Sequence, residues 1–295
     1  MKYKKTLGDW IFDIIVYILM VLVIIATLYP LVYTFSMTLS DPMEAAKGNV
    51  LLLPKGFSLE SIKKVLNDKN IFIYYGNTIW YTVVGTVVGI IVTCLAAYPL
   101  SRKEFYYRGL VTKLIMLTMF FSGGMIPLYI VVTRFLHLYN SRWSVILTAL
   151  TTAWYIMVTK AFFSSIPDEI VESSRMDGAS EFRTFLQIVM PVSKPIIAVL
   201  TLYFAVSHWN SYFHAMLYIS DASKHPLSMY IRSVVLQNSM SNFADSAARI
   251  TASQILSNLQ IKYSVIVISV LPILCVYPFI SGKLEKGLMI GSIKG

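Results

Sequence analysis

The residues with the clearest capacity for chemistry lie in one acidic stretch of the chain, at positions 167–195. Two carboxylates, Glu172 and Asp177, stand among the small residues Ser173, Ser174 and Ala179. Small side chains let the surface of another protein approach the backbone closely, and carboxylates form ion pairs with basic side chains. The pattern therefore indicates a docking surface for another protein. A simple solvated connection between two elements is the alternative that the residues alone leave open.

The sequence offers no set of residues suited to covalent or metal chemistry. Nucleophilic catalysis needs a nucleophile, a base and an orienting group that act together, and no such set stands out. The histidines lack the spacing of metal ligands, and the two cysteines lie inside apolar runs. We therefore expect no catalytic residue, no metal site and no cofactor held by this chain. The residues considered are His137, His208, His214, His225, Cys94 and Cys275.

A helix, a sharp bend and a second helix are predicted to position the acidic stretch. Pro167, followed by two acidic residues, is typical of the start of a helix. Gly178 permits a backbone conformation that other residues resist, so we expect the bend there. Ser180 is expected to cap a second helix that runs to Pro191.

The composition of the whole chain excludes a water-soluble enzyme. Of its 295 residues 56% are hydrophobic and 14% are charged, and the mean hydropathy is +0.65. A soluble domain has about 25% charged residues. Six uncharged stretches come close to or exceed the length of about 20 residues that crosses a bilayer, and lipid favours helices because they satisfy their own backbone hydrogen bonds. We predict an all-α polytopic membrane protein with six transmembrane helices, at about 14–40, 71–101, 114–133, 143–163, 196–220 and 263–282.

Lysine and arginine near the ends of the spans predict the orientation of the chain. They concentrate in the two tails and in the short loops that follow spans two and four, which is the pattern of cytoplasmic segments. Both termini are then cytoplasmic, and the net charge of +10 is mostly a signal of topology rather than of a nucleic-acid partner. The predicted segments are the N-tail 1–13, the six-span membrane domain 14–282 with its cytoplasmic loop 164–195 and outer loops 41–70 and 221–262, and the C-tail 283–295.

Two pairs of residues inside the spans are predicted to affect how the helices bend or contact one another. Asn77 and Thr78 open span two and are expected to form hydrogen bonds to other helices. Gly123 and Gly124, followed by Pro127, are expected to bend span three or to let it pack closely, with a gating hinge as the alternative.

The loop after span four carries the motif Glu172-Ser173-Ser174-x-x-Asp177-Gly178-Ala179, eight residues, then Ile188-x-x-Pro191-x-x-x-Pro195. This motif resembles the EAA loop of ATP-binding-cassette (ABC) importer permeases, and its position after the fourth of six predicted spans also fits that family. Five further segments are Asn77-Thr78, Ala97-Tyr98-Pro99-Leu100-Ser101-Arg102, Ser122-Gly123-Gly124-Met125-Ile126-Pro127, Trp209-Asn210 and Gly291-Ser292-Ile293-Lys294-Gly295. They are similar to the carbohydrate-uptake permeases of the maltose type, in the subgroup of lipoprotein- or polysaccharide-transport permeases.

This resemblance implies a permease subunit of a binding-protein-dependent ABC importer in the bacterial cytoplasmic membrane. Its partners would be a second permease subunit in a heterodimer, two ATPase subunits and an extracytoplasmic solute-binding protein. The solute would be an oligosaccharide, for instance a fragment of a polysaccharide that contains uronate or a host glycan fragment; a non-sugar solute is the alternative. The resemblance also implies that the ATPase subunits bind ATP and Mg²⁺. Consistent with this, the chain has no G-x-x-x-x-G-K-[ST] motif.

The resemblance also implies roles for individual residues. Glu172, Ser173, Ser174, Asp177, Gly178 and Ala179 would form the coupling helix in a cleft of one ATPase, with Ile188 and Pro191 in the same docking motif. Span five is rich in aromatic and polar groups, which at membrane depth face the bundle or a water-filled path. Trp209, Asn210 and Tyr212 are therefore candidates for the sugar path, since aromatic rings stack on sugars. The alternative is that these residues belong to the aromatic belt at the membrane surface or pack against other helices.

Overall fold

A computed structural model describes residues 6–244 and 260–275 of the chain. The described residues form helices and no strands, which confirms the predicted all-α class. They fall into two compact units, one of residues 6–69 with 231–244 and 260–272 and the other of residues 70–230 with 273–275. Parts of the predicted N-tail, second outer loop and last span lie outside the described residues, as does the whole C-tail with its motif 291–295.

The first unit is built on one long apolar helix, α1, which spans Leu7–Leu39. The side chain of Thr6 caps its start, and the carboxylate of Asp9 accepts a hydrogen bond from the backbone N–H of Thr6. A helix of 33 residues is about 50 Å long, which is more than the bilayer core requires. Its apolar side chains are largely exposed, as expected for a helix that faces lipid.

Two short helices and a later helix complete the described part of this unit. The short helices are α2, Pro42–Ala46, and α3, Glu60–Asn67. The later helix, Gln260–Cys275, begins at a buried amide that fixes its position. The Gln260 amide nitrogen donates to the carbonyls of Met37, at 2.8 Å, and Ser40, at 2.6 Å. The end of α1 and the start of the later helix are thereby joined.

The second unit contains a second long helix and several helices in bent pairs. The long helix α4, Lys69–Ser101, contains the whole of the predicted span 71–101. By length and composition, two of the described helices, α1 of the first unit and α4, could each cross a membrane. The number of possible spans among the described residues rises to five if each of three bent pairs of helices counts as one span. After α4 come α5, Arg108–Phe120; α6, Met125–Ile130, which continues as the π-helical turn Val131–Phe135; α7, Arg142–Thr148; and α8, Ala153–Ser164.

The next helices are short until the chain reaches the predicted fifth span. They are α9, Asp168–Met176; α10, Glu181–Thr184, which continues through the π-helical turn Phe185–Val189 into α11, Met190–Val192; α12, Lys194–Trp209; α13, Tyr212–Tyr218; and α14, Leu227–Ala244. A 3₁₀ turn, Ala222–Lys224, precedes α14.

Three predicted spans are broken rather than continuous. The stretch 114–133 is divided between α5 and α6, which meet at 113°, because Gly124 takes a left-handed φ of +84° between them. The predicted bend at this glycine is thus confirmed. The stretch 143–163 is divided between α7 and α8 at 58°, where Thr152 caps the start of α8. The stretch 196–220 is divided between α12 and α13, with the break at residues 210–211.

Helix α4 packs closely on α12 because two of its glycines have no side chain. A Cβ atom on Gly85 would lie 2.5 Å from Nε2 of His208, and one on Gly89 would lie 2.8 Å from the ring of Phe204. Both distances are far below normal contact. His208 and Phe204 are buried against α4, so these glycines set the distance between the two helices.

Polar groups fasten the beginning of α4 to neighbouring elements. The Asn77 amide nitrogen donates to the carbonyl of Ser223 at 2.7 Å, and Arg142 donates to the Asn77 amide oxygen at 2.7 Å. The Thr78 hydroxyl oxygen accepts from the backbone N–H of Leu227 at 2.7 Å. The expectation that Asn77 and Thr78 form hydrogen bonds between elements is confirmed.

Candidate functional site

The acidic stretch folds into a helix, a left-handed turn and a second helix. Helix α9 begins at Asp168, so Pro167 is its N-cap and lies one position before the predicted start. Gly178 has a φ of +76°, a conformation that glycine adopts at little cost. The side chain of Ser180 then caps α10 by accepting from the backbone N–H of Arg183 at 3.3 Å. Local sequence signals thus determine the shape of this loop.

One face of the loop is buried and joins its two helices. Ser174 is 5% exposed, and its hydroxyl donates to the carbonyl of Val171 at 2.8 Å. The same hydroxyl lies 2.9 Å from the hydroxyl of Thr184 on the second helix. This placement corrects the expectation that Ser174 is presented to another protein, because its only polar side-chain group is used inside the loop.

The opposite side of the loop is exposed and carries other predicted docking residues. Glu172 and Ser173 on α9 are exposed, as are Asp177 and Gly178 directly after it, and Ala179 is half-buried. The Glu172 carboxylate has no partner within the part of the chain that the structure describes.

The same exposed face of α9 carries an apolar residue that sequence reasoning missed. Met176 lies one turn after Glu172 and is 88% exposed. An exposed methionine beside a free carboxylate is a combination suited to binding a protein surface, because its flexible thioether adapts to the partner. The signal was present in the sequence, as an apolar residue four positions after Glu172 on a predicted helix.

The remaining predicted docking residues lie on the second helix of the loop. Ile188 is half-buried in the π-helical turn Phe185–Val189, and Pro191 is exposed in the short helix that follows. Phe185 and Val189 point into the core of the unit. Phe185 and Val189 therefore anchor this part of the loop in the protein, while Pro191 stays exposed.

An ion-pair network joins the loop to the chain at the end of α4. Arg175 donates from Nη1 to Glu104 at 2.7 Å and from Nε to Glu181 at 2.8 Å. The other carboxylate oxygen of Glu181 accepts from the hydroxyl of Tyr98, on α4, at 2.9 Å. One arginine thus links α9, α10 and the segment after α4.

A second ion pair supports the start of α9. Lys103 donates to Asp168 at 2.7 Å, and this hydrogen bond lowers the pKa of the Asp168 carboxyl. The hydrogen bond from Arg175 likewise lowers the pKa of Glu104, and the carboxylates raise the pKa of Arg175. Both pairs are therefore charged at neutral pH. All these groups are substantially exposed except Arg175, so the pairs orient the loop more than they stabilise the fold.

The three candidate path residues lie around the break between α12 and α13. Trp209 ends α12 and is half-buried, with its ring edge-on to the ring of Tyr75 at 6.4 Å between centroids. Asn210 is exposed, and its amide nitrogen donates to the carbonyl of Val206 at 2.9 Å. Tyr212 begins α13 and is exposed. The structure thus brings all three to one interruption of the helix.

The family of the chain follows from comparison with known proteins. Residues 85–290 match the model of the family described as "binding-protein-dependent transport system inner membrane component". The match covers more than half of the chain and includes the loop described above. This chain belongs to that permease family. It is therefore a membrane subunit of a transport system.

The permease is similar over nearly its whole length to proteins of carbohydrate transport. It is 38% identical to "Protein LplC" of Bacillus subtilis, over 91% of this chain and 90% of the relative. It is 32% identical to the "polygalacturonan/rhamnogalacturonan transport system permease protein YtcP" of the same organism, over 97% and 99%. The predicted resemblance to carbohydrate ABC permeases is confirmed.

A solved structure supports the same family and the same fold. The permease matches one chain of the "crystal structure of a bacterial ABC transporter involved in the import of the acidic polysaccharide alginate" with a TM-score of 0.84 and 31% identity. The match covers 95% of the permease and 99% of that chain.

Among the described residues of the permease, no group of three or more His, Cys, Asp or Glu side chains could hold a metal ion.

The network at Arg175 is a second part of the site that sequence reasoning missed, besides Met176. The sequence signal lies in two short charged runs, Lys103-Glu104 after span two and Asp168 to Glu181 after span four. Each run carries charges of both signs, which permits pairing between the runs. The local pattern does not predict that the two runs are in contact, because their contact depends on how α4 and the loop pack together.

Proposed function

We propose that this permease subunit serves an ABC importer of acidic oligosaccharides derived from uronate-containing polysaccharides. The observation that carries the proposal is full-length similarity to a polygalacturonan/rhamnogalacturonan permease and to a chain of an alginate importer. Galacturonan and alginate are both polymers of uronic acids. A shared uronate chemistry is thus the simplest common property of the solutes of these two relatives.

The permease works with partner subunits in this proposal. A second, similar permease completes the pore, two ATPase subunits bind ATP and Mg²⁺ on the cytoplasmic side, and a solute-binding protein delivers the oligosaccharide outside. Both termini and the loop 164–195 then lie in the cytoplasm, in agreement with the distribution of lysine and arginine. The membrane is the bacterial cytoplasmic membrane.

The exposed face of α9 is the proposed docking surface for an ATPase. Glu172 forms an ion pair with a basic residue of the ATPase cleft, and Met176 inserts as an apolar anchor beside it. The open side of Gly178, where an added Cβ would meet no atom within 4 Å, lets the ATPase surface approach the backbone. Ser173, Asp177 and Ala179 line the same contact, whereas Ile188 and Pro191 hold the second helix in place.

Movement of the ATPase subunits reaches the membrane helices through the network at Arg175. When the ATPase pair closes on ATP, α9 moves with its cleft. Arg175 transmits this movement to Glu104 beyond α4 and to Glu181 on α10. The pore then alternates between inward-open and outward-open states, and each ligand shifts the equilibrium only by its different affinity for the two states.

The sugar passes the break between α12 and α13 in this mechanism. The ring of Trp209 offers an apolar face for stacking on a sugar ring, and Asn210 and Tyr212 offer polar groups to its hydroxyls. A helix break at membrane depth is tolerated where it faces protein or a water-filled cavity, and this supports a path there.

Uptake assays with matched solutes test the proposed function. A host strain that lacks the permease gene is complemented with the parent permease or with a Glu172→Lys variant. ATP-dependent uptake is then measured for labelled oligogalacturonate, oligoalginate and the neutral maltotriose. We expect uptake of at least one uronate oligosaccharide with the parent and none with the variant. Uptake of maltotriose alone, or of none of the three sugars, would contradict the proposed solute class.

A further inference from the structure

A mainly apolar cavity lies where α4 ends against the second helix of the docking loop. Its volume is about 490 Å³, and its walls include Leu95 and Tyr98 of α4 and Phe182 and Phe185 of the loop. Arg102, directly after α4, also lines it. All these residues belong to the second unit. Glu104, Arg175 and Glu181 of the ion-pair network also line the cavity, whereas its apolar walls take no part in those ion pairs.

Arg102 is a buried cation at the wall of this cavity, and it has unused hydrogen-bond donors. Its side chain lies over the ring of Tyr98, with the guanidinium carbon 5.1 Å from the ring centre, and the residue is only 6% exposed. Nε and Nη2 are buried and have no hydrogen-bond partner among the described residues. A buried charged group with unmet donors is costly unless a partner satisfies it.

The carboxylates that line the cavity are already used by the other arginine. Glu104 and Glu181 both accept hydrogen bonds from Arg175. Glu181 accepts from Tyr98 as well. Among the described residues, Arg102 therefore has no carboxylate partner of its own. A guanidinium binds phosphate and carboxylate oxygens with matching geometry, so the expected partner is an oxyanion.

The depth of the cavity favours a lipid over a soluble anion. In the proposed orientation α4 crosses the membrane. Leu95 is 46% exposed on this helix, and Arg102 lies seven residues further on, a rise of about 10 Å. Tyr106, 87% exposed just beyond Arg102, is typical of the membrane interface. The cavity thus runs from hydrocarbon depth to headgroup depth, which suits a molecule with an acyl chain below its phosphate.

We propose that this cavity binds an anionic phospholipid of the cytoplasmic leaflet, whose phosphate contacts Arg102 and whose acyl chain lies along α4 at Leu95. The lipid fills the space between α4 and the second helix of the docking loop. It therefore supports the junction through which the loop and α4 move together. The site requires insertion in the proposed orientation but does not depend on which solute is transported.

Lipid binding to the complete transporter tests this site. The transporter is purified with all its subunits, stripped of lipid by detergent exchange, and titrated in native mass spectrometry. Four probes separate the contribution of the phosphate from that of the acyl chains. They are phosphatidylglycerol, diacylglycerol with the same chains, glycerophosphoglycerol and inorganic phosphate. We expect phosphatidylglycerol to bind more tightly than the other three, because only it has both the phosphate and the chains.

Two variants and a control assign the binding to this cavity. Arg102→Gln removes the charge and is expected to weaken the binding of phosphatidylglycerol about tenfold, in line with the loss of a charged hydrogen bond. Leu95→Trp fills the apolar end and is expected to weaken it while keeping Arg102. Arg108→Gln removes an exposed charge outside the cavity lining and serves as the control, with binding like that of the parent.

The outcomes that overturn the proposal are distinct. Equal binding of phosphatidylglycerol to the parent and to both cavity variants would exclude the cavity as its site. Binding of inorganic phosphate or glycerophosphoglycerol as tight as that of the lipid, and dependent on Arg102, would assign the site to a soluble anion. An equal loss of binding in Arg108→Gln would show that general positive charge, rather than this cavity, attracts the lipid.

Discussion

The guanidinium of Arg175 lies 2.7 Å from the carboxylate of Glu104 and joins the docking loop to the segment that follows α4. The side chains are 30% and 59% exposed, so the pair contributes only about 0–1 kcal/mol to stability. Its importance is geometric. Arg175 is held from two sides, by Glu104 and Glu181, so that α9 cannot turn without moving both neighbours.

Removing the charge of Glu104 is expected to weaken the coupling between ATP hydrolysis and transport. In Glu104→Gln the loop loses one of the two carboxylates that hold Arg175, while Glu181 keeps the loop folded. We expect ATPase subunits to copurify normally and uptake per ATP hydrolysed to fall about two- to fivefold, in line with the loss of about 0.5–1 kcal/mol. The measurement is simultaneous uptake and phosphate release in proteoliposomes.

A charge swap provides the control for this pair. Glu104→Arg combined with Arg175→Glu restores an attraction between the two positions, although the carboxylate introduced at position 175 would face that of Glu181. We expect partial recovery relative to Glu104→Arg alone. Since the pKa of Glu104 is below its usual value, the deficit of Glu104→Gln should stay constant from about pH 6 to about pH 8. A deficit that appears only at one end of this range would contradict the ion-pair account.

Reversing the charge of Glu172 is expected to detach the ATPase without unfolding the permease. Glu172 is exposed and makes no contact that supports the fold, so Glu172→Lys should reach the membrane in normal amounts. Placing a lysine against a basic cleft costs roughly 2–5 kcal/mol, so ATPase copurification should fall by more than tenfold. The measurement is the ratio of ATPase to permease after affinity purification.

Glu169→Lys provides the matched control for the docking surface. Glu169 is an exposed acid in the first turn of the same helix, so the change in net charge is identical. We expect much smaller loss of ATPase than in Glu172→Lys. Equal losses in both variants would mean that the charge of the whole loop, and not the α9 face, attracts the ATPase.

Met176 is expected to act as an apolar anchor in the same contact. At 88% exposure it contributes almost nothing to folding, so Met176→Ala should leave thermal stability unchanged. We expect ATPase copurification to fall roughly fivefold, since truncating an interface anchor costs at least about 1 kcal/mol. Normal copurification would remove Met176 from the docking surface and leave the contact to Glu172 and the residues around Gly178.

The parts of the fold that local signals determine were predictable from the sequence, and the parts that depend on packing were not. The bend at Gly178 and the cap at Ser180 follow from residues next to one another, and both are found. The breaks inside the predicted spans 143–163 and 196–220 were missed because average hydropathy is the same for a straight and a bent apolar helix. Ser174 looked like a surface residue because a small polar side chain is equally compatible with a buried hydrogen bond.

The close approach of α4 and α12 predicts a specific loss of stability when Gly85 is enlarged. An added Cβ would lie 2.5 Å from His208, so one helix must move. We expect Gly85→Ala to lower the free energy of unfolding by about 1–3 kcal/mol, the usual cost of overpacking. The measurement is thermal or denaturant unfolding of the purified transporter in detergent.

A double variant shows whether the contact with His208 is the cause. In the double variant Gly85→Ala with His208→Ala the new methyl group meets no imidazole. Gly85→Ala should therefore lower the free energy of unfolding less in the His208→Ala background than in the parent. Gly76→Ala is the control on the same helix, because a Cβ there would meet no atom within 4 Å. If Gly76→Ala is as damaging as Gly85→Ala, the effect belongs to α4 in general.

Trp209 is expected to affect sugar flux rather than ATPase binding. Its ring is half-buried at the helix break and touches Tyr75, so Trp209→Ala removes both a stacking surface and a packing contact. We expect uptake of the oligosaccharide to fall roughly tenfold, as for the loss of an aromatic anchor, with ATPase copurification unchanged. Trp209→Phe keeps a ring and should retain most of the uptake.

Tyr75→Ala separates the two roles of Trp209. That variant removes the packing partner of the tryptophan and leaves the tryptophan itself available to the sugar. If Trp209 lines the path, uptake per folded transporter falls in Trp209→Ala and changes little in Tyr75→Ala. If the tryptophan only packs, both variants lower the unfolding midpoint to a similar extent while uptake per folded transporter stays normal. The second result would remove Trp209 from the path and leave Asn210 and Tyr212 as the candidates at this helix break.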